Sequence, residues 1–250
     1  DNVYGLFLRS QGVSKFKGTE LSKMLAGKVV TVTPTVGELY NGISGNSSVK
    51  DLETAFQLLY LEFTEPRFDQ EEFDNAIAQL KAVLPNLENT PDFALQKRVV
   101  KTLYNDDPRE EAISMEKVGK ASLQAIEKNY RRLFADVAGA TMVIVGDVNL
   151  DTLKPLVEKY VGSLPKGKKA PKWADVQPRL VKGNIEDVFE QKMETPLSTV
   201  LQVYSDYRPF SVKEQTLAEA VSYILDQIYT ESLREDEGGT YGASSASEAQ

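Results

Sequence analysis

The run Ser48-Val-Lys-Asp-Leu-Glu-Thr-Ala-Phe-Gln-Leu-Leu-Tyr-Leu-Glu-Phe63 stands directly after two segments of a different character. Within it Leu52, Phe56, Leu59 and Phe63 fall on one helical face, and a hydroxyl followed three positions later by an acid is a capping-box-like start. Residues 29–36 and 38–44 alternate, in part, polar with β-branched or aromatic side chains, the period of half-buried strands. Strands followed by an amphipathic helix predict an α/β (α+β) chain in which an antiparallel sheet is covered by helices.

The same pattern continues outward. Residues 19–26 read as a short helix with Leu21, Met24 and Leu25 on one side, ended by Gly27. A helix begins at Asp69, with Glu72 three positions on and Phe73, Ile77, Leu80 and Leu84 at helical spacing. Thr90-Pro91 pairs a cap with a proline at the first helical position, ahead of Phe93, Val99, Val100 and Leu103. Ser122 opens a helix bearing Leu123, Ile126, Tyr130, Leu133 and Phe134. Met142-Val-Ile-Val145, closed by Gly146, is short, β-branched and without helical period, which predicts a buried strand. Asp151 is then expected to cap a helix with Leu153, Leu156, Val157, Tyr160 and Val161.

Three prolines, several lysines and the single Trp173 mark residues 165–183 as a linker, dividing a domain at 1–164 from a second that begins at 184. In the second, residues 200–204 read as a strand, 211–235 as a long helix with Leu217, Val221, Ile224, Leu225 and Ile228 facing inward, and Tyr241 onward as extended. One strand, one helix and the start of another strand cannot enclose a core. The expectation is therefore a second α/β unit, 184–250, that is truncated, so that the chain is a piece of a longer protein. Its open sheet edge would invite pairing, for instance a homodimer.

Composition narrows the function. The chain has 250 residues, 41% of them hydrophobic and 26% charged, with a formal net charge of −8. That balance argues against a nucleic-acid partner, which needs a concentrated basic surface. No apolar run approaches the roughly 20 residues of a membrane span. Neither cysteine nor histidine occurs anywhere in the sequence. Thiolate chemistry, histidine triads and histidine-bearing zinc sites therefore cannot be built from this chain alone.

The stretch with the clearest chemical content is Glu231-Ser-Leu-Arg-Glu-Asp-Glu-Gly-Gly-Thr-Tyr-Gly-Ala-Ser-Ser245. It places Arg234 at a helix end and Tyr241 at the start of a predicted strand, around a Gly238-Gly239 turn. A guanidinium and a phenol can grip a carbonyl or an oxyanion, but neither is a good base at neutral pH. Each also has a plain structural reading: Arg234 complements the helix macrodipole and Tyr241 packs its ring on a strand. Asp106-Asp107 and Glu235-Asp236-Glu237 lie beside proline or glycine and read as solvated turns, while Asp69, Glu71 and Glu72 read as capping and dipole compensation.

Three stretches together resemble the pitrilysin/insulinase family of zinc peptidases, whose zinc motif is an inverted His-x-x-Glu-His. They are residues 51–69 running into the Phe73 helix, Val143-Ile-Val-Gly-Asp-Val148 with Leu156-Val-Glu-Lys-Tyr-Val-Gly-Ser-Leu-Pro165, and Leu233-Arg-Glu-Asp-Glu-Gly-Gly-Thr-Tyr-Gly242. Such enzymes have four similar domains in two halves that close around a chamber. The resemblance implies that residues 1–164 correspond to the third domain and 184–250 to the beginning of the fourth. It makes the chain part of the non-zinc half of a zinc metalloendopeptidase acting on peptides or unfolded segments, and inactive by itself. Arg234 and Tyr241 would serve substrate and oxyanion binding. Zinc would be held by an absent N-terminal half, on the same chain or a partner subunit, since the segment Asn2-Val-Tyr-Gly-Leu-Phe-Leu-Arg-Ser-Gln11 has no histidine where a catalytic copy would carry the motif. A periplasmic or cell-envelope location is the family-level expectation. The alternative of a different class is a non-catalytic structural or assembly subunit of the same fold.

Overall fold

The computed structural model describes residues 5, 7–8, 11–37, 40–167, 172, 174–176, 178–193, 196–207 and 209–247. Trp173 of the predicted linker lies outside them, as does most of the segment 2–11. The chain divides into two compact units, Asp1–Thr195 and Pro196–Gln250.

Helix α1 (Gly18–Met24) opens the described order, and its first turn is closed by Glu20, whose carboxylate accepts from the Lys17 N–H at 2.9 Å. Strands β1 (Val30–Val36) and β2 (Asn41–Ser47) pair antiparallel, with Val30 opposite Ser47 and Val36 opposite Asn41. Gly45 permits the close approach of the two: a Cβ there would lie 2.7 Å from the Thr31 carbonyl oxygen. The fold is thus helix-rich, with a two-stranded antiparallel sheet among the described residues.

Helix α2 (Leu52–Thr64) follows a 3-10 turn at Val49–Asp51 and packs on this ribbon. The expected hydroxyl cap is reversed. Ser48 Oγ donates to Asp51 Oδ2 at 2.6 Å, and that oxygen also accepts from the Val29 N–H at 2.9 Å. Asp51 therefore ties the start of the helix to the approach of β1, and these donors hold its carboxyl below the usual range.

Helices α3 (Gln70–Glu88) and α4 (Pro91–Tyr104) start as the sequence indicates. Asp69 accepts from the Glu71 and Glu72 N–H groups, and Thr90 Oγ1 accepts from the Phe93 N–H at 3.3 Å. Short α5 (Met115–Lys120) leads to α6 (Leu123–Leu133), capped by Ser122. Helix α7 (Leu150–Leu156) is capped by Asn149, two residues before the expected Asp151, and continues as a π-helical turn, Val157–Val161.

Two neighbouring aromatic clusters form the core. Phe7 packs with Phe73, Leu123 and Ile126, and Leu8 with Tyr130 and Phe134. Phe68 bridges them, its ring 6.4 Å from that of Phe7 and 5.4 Å from that of Tyr130. The apolar faces anticipated for α3 and α6 are the ones that close this core.

Two expectations fail for one reason. Met142, Val143 and Val145, expected as a buried strand, are exposed and irregular, Val145 being 90% accessible. In the second unit, residues 200–204 form no strand, and helix α8 (Val212–Tyr229) buries none of its residues; Leu217, Val221, Ile224 and Ile228 are about half exposed or more. A strand exists only by hydrogen bonding to a neighbour. Among the described residues no such neighbour flanks these segments and no sheet covers the apolar stripe of α8, which is left exposed.

Candidate functional site

Ser211 caps α8, its Oγ accepting from the Glu214 N–H at 3.2 Å, and the helix widens at its end into a π-helical segment, Thr230–Asp236. Arg234 sits in this last stretch, where a cation faces the carbonyl end of the helix. Gly238 then turns the chain in the left-handed region, at φ 59°, which a side chain would disfavour. The Gly239 N–H returns to the Leu233 carbonyl at 3.1 Å and the Glu237 N–H to that of Ser232 at 3.1 Å, satisfying helix-end acceptors.

Tyr241 follows at a bend, not at the start of a strand, because among the described residues no strand lies beside it to join. Thr240 Oγ1 braces the peptide on either side, donating to the Gly242 carbonyl at 2.9 Å and accepting from the Gly242 N–H at 3.2 Å. The Ser245 N–H reaches back to Asp226 on α8, so the strand-like tail is folded along the helix. Arg234 and Tyr241 thus flank one glycine turn, as the spacing indicates. Both are exposed, Tyr241 fully, and no hydrogen bond joins them. Both therefore present unengaged donors to solvent.

Of the acidic candidates, Asp69, Asp106 and Asp107 are engaged in ion pairs, while Glu235, Asp236 and Glu237 are exposed at the helix end. Asp107 takes Arg109 at 2.8 Å, and that guanidinium holds its carboxyl down to about 2. Asp106 faces Lys101 at 3.6 Å, and Asp69 pairs with Arg67 at 2.8 Å. Among the described residues no group of three or more His, Cys, Asp or Glu side chains is placed to hold a metal ion. With no histidine or cysteine in the sequence either, the donor set of this chain does not fit a catalytic zinc.

Two arrangements were not foreseen. One is a strap along α4: Asp187 accepts from Arg98 through Nε and Nη2 at 2.7–3.0 Å and from Thr102 Oγ1 at 2.5 Å, while the Val181 N–H donates to the Leu103 carbonyl at 2.8 Å. Arg98 holds the Asp187 carboxyl down to about 2. The other is a buried polar cluster on α2. Glu62, 5% exposed, accepts from Gln11 Nε2 at 3.0 Å and from the Tyr130 hydroxyl at 3.1 Å; burial pushes its carboxyl up to about 7, against the pull of those two donors. The sequence does carry a signal for it, a glutamate next to Phe63 in an apolar helix, four residues before Pro66.

Helices packed on an antiparallel ribbon, then a helix ending in an Arg/Tyr turn, make a mixed α+β chain with no metal-binding group of His, Cys, Asp or Glu among the described residues. Residues 120–250 match the family model described as the peptidase M16 inactive domain, and the chain belongs to that family. It is 25% identical over 240 residues to the probable zinc protease PqqL of Escherichia coli K12, covering 94% of this chain and 25% of that protein. It is 29% identical over 117 residues to a zinc protease PQQL-like protein of Arabidopsis thaliana, covering 46% and 12%. The crystal structure of the periplasmic protease PqqL from Escherichia coli superposes over all of this chain and 28% of its own, with a TM-score of 0.77 at 20% identity. The chain therefore spans about a quarter of the first of these relatives.

Proposed function

We propose that this chain is part of the non-zinc half of a zinc-dependent endopeptidase, closing a substrate chamber and supplying Arg234 and Tyr241 to the site. The observation that supports it best is the match over 94% of the chain to a quarter of a zinc protease, by a sequence with no histidine or cysteine. Zinc then belongs to the part of the protein outside this chain, and the fragment alone neither binds it nor cleaves peptides. The tyrosine hydroxyl donates to the oxyanion that develops on the attacked carbonyl, and the planar guanidinium grips a neighbouring substrate carbonyl. Their exposure and lack of competing partners suit groups that wait for substrate. Peptides or unfolded segments are the substrate class, and the periplasmic relative favours the same compartment.

The test is made in the full-length protein. Tyr241→Phe leaves metal content unchanged and lowers kcat/KM on an unfolded peptide by roughly 10²–10³, and Arg234→Lys does not fully restore what Arg234→Ala loses. Near-wild-type kcat/KM for both Tyr241→Phe and Arg234→Ala would overturn the assignment and favour a purely structural subunit. Stoichiometric zinc with chelator-sensitive cleavage by the isolated chain would overturn the half-site reading.

A further inference from the structure

The end of α2 is zipped to the segment 11–16 by a short, strand-like set of contacts. The Ser14 N–H donates to the Glu65 carbonyl at 2.7 Å, the Arg67 N–H to the Gly12 carbonyl at 3.3 Å, and Val13 bridges to Pro66. Ser14 Oγ also donates to the Glu65 carboxylate. The segment folds tightly on itself, for the Phe16 N–H donates to the Val13 carbonyl at 3.0 Å and a Cβ on Gly12 would collide with the Phe16 carbonyl. Gln11, 5% exposed, and Glu62 close the buried end of this zipper.

Two details make that end sensitive to a proton. Gln11 Oε1 is buried and meets no donor among the described residues, so the amide has an unused acceptor beside a carboxyl group. A neutral Glu62 carries a donor for it after a half-turn of the amide, whereas a carboxylate carries none. Among the described residues no opposite charge pairs with Glu62. The described charged groups on the packed elements have other contacts: Arg67 with Asp69 and, at 3.5 Å, with the Ser14 carbonyl, its Nε buried without a partner among the described residues, Arg131 with Glu127 and over the Phe68 ring, Lys17 with Glu71, Lys15 over the Phe16 ring, and Glu65 with Ser14.

We propose that Gln11, Glu62 and Tyr130 form a proton-operated latch: the neutral acid holds the segment 11–16 against the end of α2, and the carboxylate releases it. Ionisation strands a charge beside the Tyr130 ring, and opening this segment exposes it to water. The carboxyl value of about 7 puts the release in the neutral range.

Peptide-resolved hydrogen exchange in the full-length protein, corrected for the intrinsic rate, tests this. Between pH 5.5 and 8.5 protection of residues 11–16 falls at least about tenfold and at most about 30-fold, since a rise of the carboxyl from 4.5 to about 7 sets a full range of about 300-fold of which about tenfold is already spent by pH 5.5. Glu62→Gln, which mimics the neutral acid, keeps the segment protected at both ends of the range. A flat wild-type profile, or a variant that loosens as the wild type does, overturns the proposal. Should Glu62→Gln not fold, the wild-type series decides against peptides from α4: protection of 11–16 that falls in step with α4 signals general loosening and overturns it equally.

Discussion

Tyr130→Phe is the perturbation whose effect follows most directly from the structure. Glu62 lies in the last turn of α2, where its carbonyl would ordinarily accept from the N–H four residues on. That residue is Pro66, which has none. The Tyr130 hydroxyl, on a side chain only 1% exposed, donates to this carbonyl at 2.9 Å and lies 3.1 Å from the Glu62 carboxylate. Phenylalanine keeps the ring contacts, 4.6 Å to Phe134 and 5.4 Å to Phe68, so no cavity opens. What is lost is one hydroxyl that serves two buried acceptors. Leaving a buried acceptor unpaired costs about 1–3 kcal/mol. With a urea slope of about 2 kcal/mol/M, the unfolding midpoint drops by about 0.5–1.5 M at unchanged slope. Urea unfolding read by pulse-labelled hydrogen exchange in α2 and α6 measures it. A midpoint within about 0.2 M of wild type would mean that the hydroxyl is not the replacement for the missing Pro66 N–H, and would refute the reasoning.

Other perturbations separate the remaining contacts. Asp187→Asn removes the charge that holds the strap on α4, and peptides covering 178–189 should exchange faster while α4 stays protected. The same pair sets an acid dependence: because Asp187 is held down to about 2, its contribution is present above the ordinary carboxylate value of 3.8 and is lost as pH falls through about 2, visible as acid release of 178–189. Thr90→Ala deletes the α4 cap and should lower stability by about 1 kcal/mol, with Thr90→Ser largely retaining it. Gly45→Ala sets a methyl against the Thr31 carbonyl and should destabilise the β1–β2 ribbon, seen as lost protection of both strands.

Much of the helical framework was legible because it is local. Asp69, Thr90 and Ser122 cap where their spacing indicates, and Phe73, Leu84, Leu123, Ile126 and Tyr130 are buried as their period requires. The chemistry of the capping groups was less legible. The spacing of Ser48 and Asp51 predicts a hydroxyl that accepts from an amide, yet the Val29 N–H, 22 residues away from Asp51, draws the carboxylate into that position and turns the hydroxyl into a donor. Helix α7 slipped by one cap because Asn149 and Asp151 are both competent and only the backbone path chooses between them.

Residue identity and short-range spacing suffice for the absence of a histidine or cysteine metal set, for the helices, for the inner faces of α3 and α6 but not of α8, and for the proximity of Arg234 and Tyr241 around Gly238-Gly239. Only the tertiary structure decided which apolar segments become strands, because a strand is defined by its neighbour: residues 30–36 have one in 41–47, while 142–145 and 200–204 have none among the described residues. It also decided the fate of Glu62. A glutamate on an apolar helix reads as ordinary until Gln11 and Tyr130, 51 and 68 residues away, close over it and exclude water, and that exclusion is what moves its proton into the neutral range.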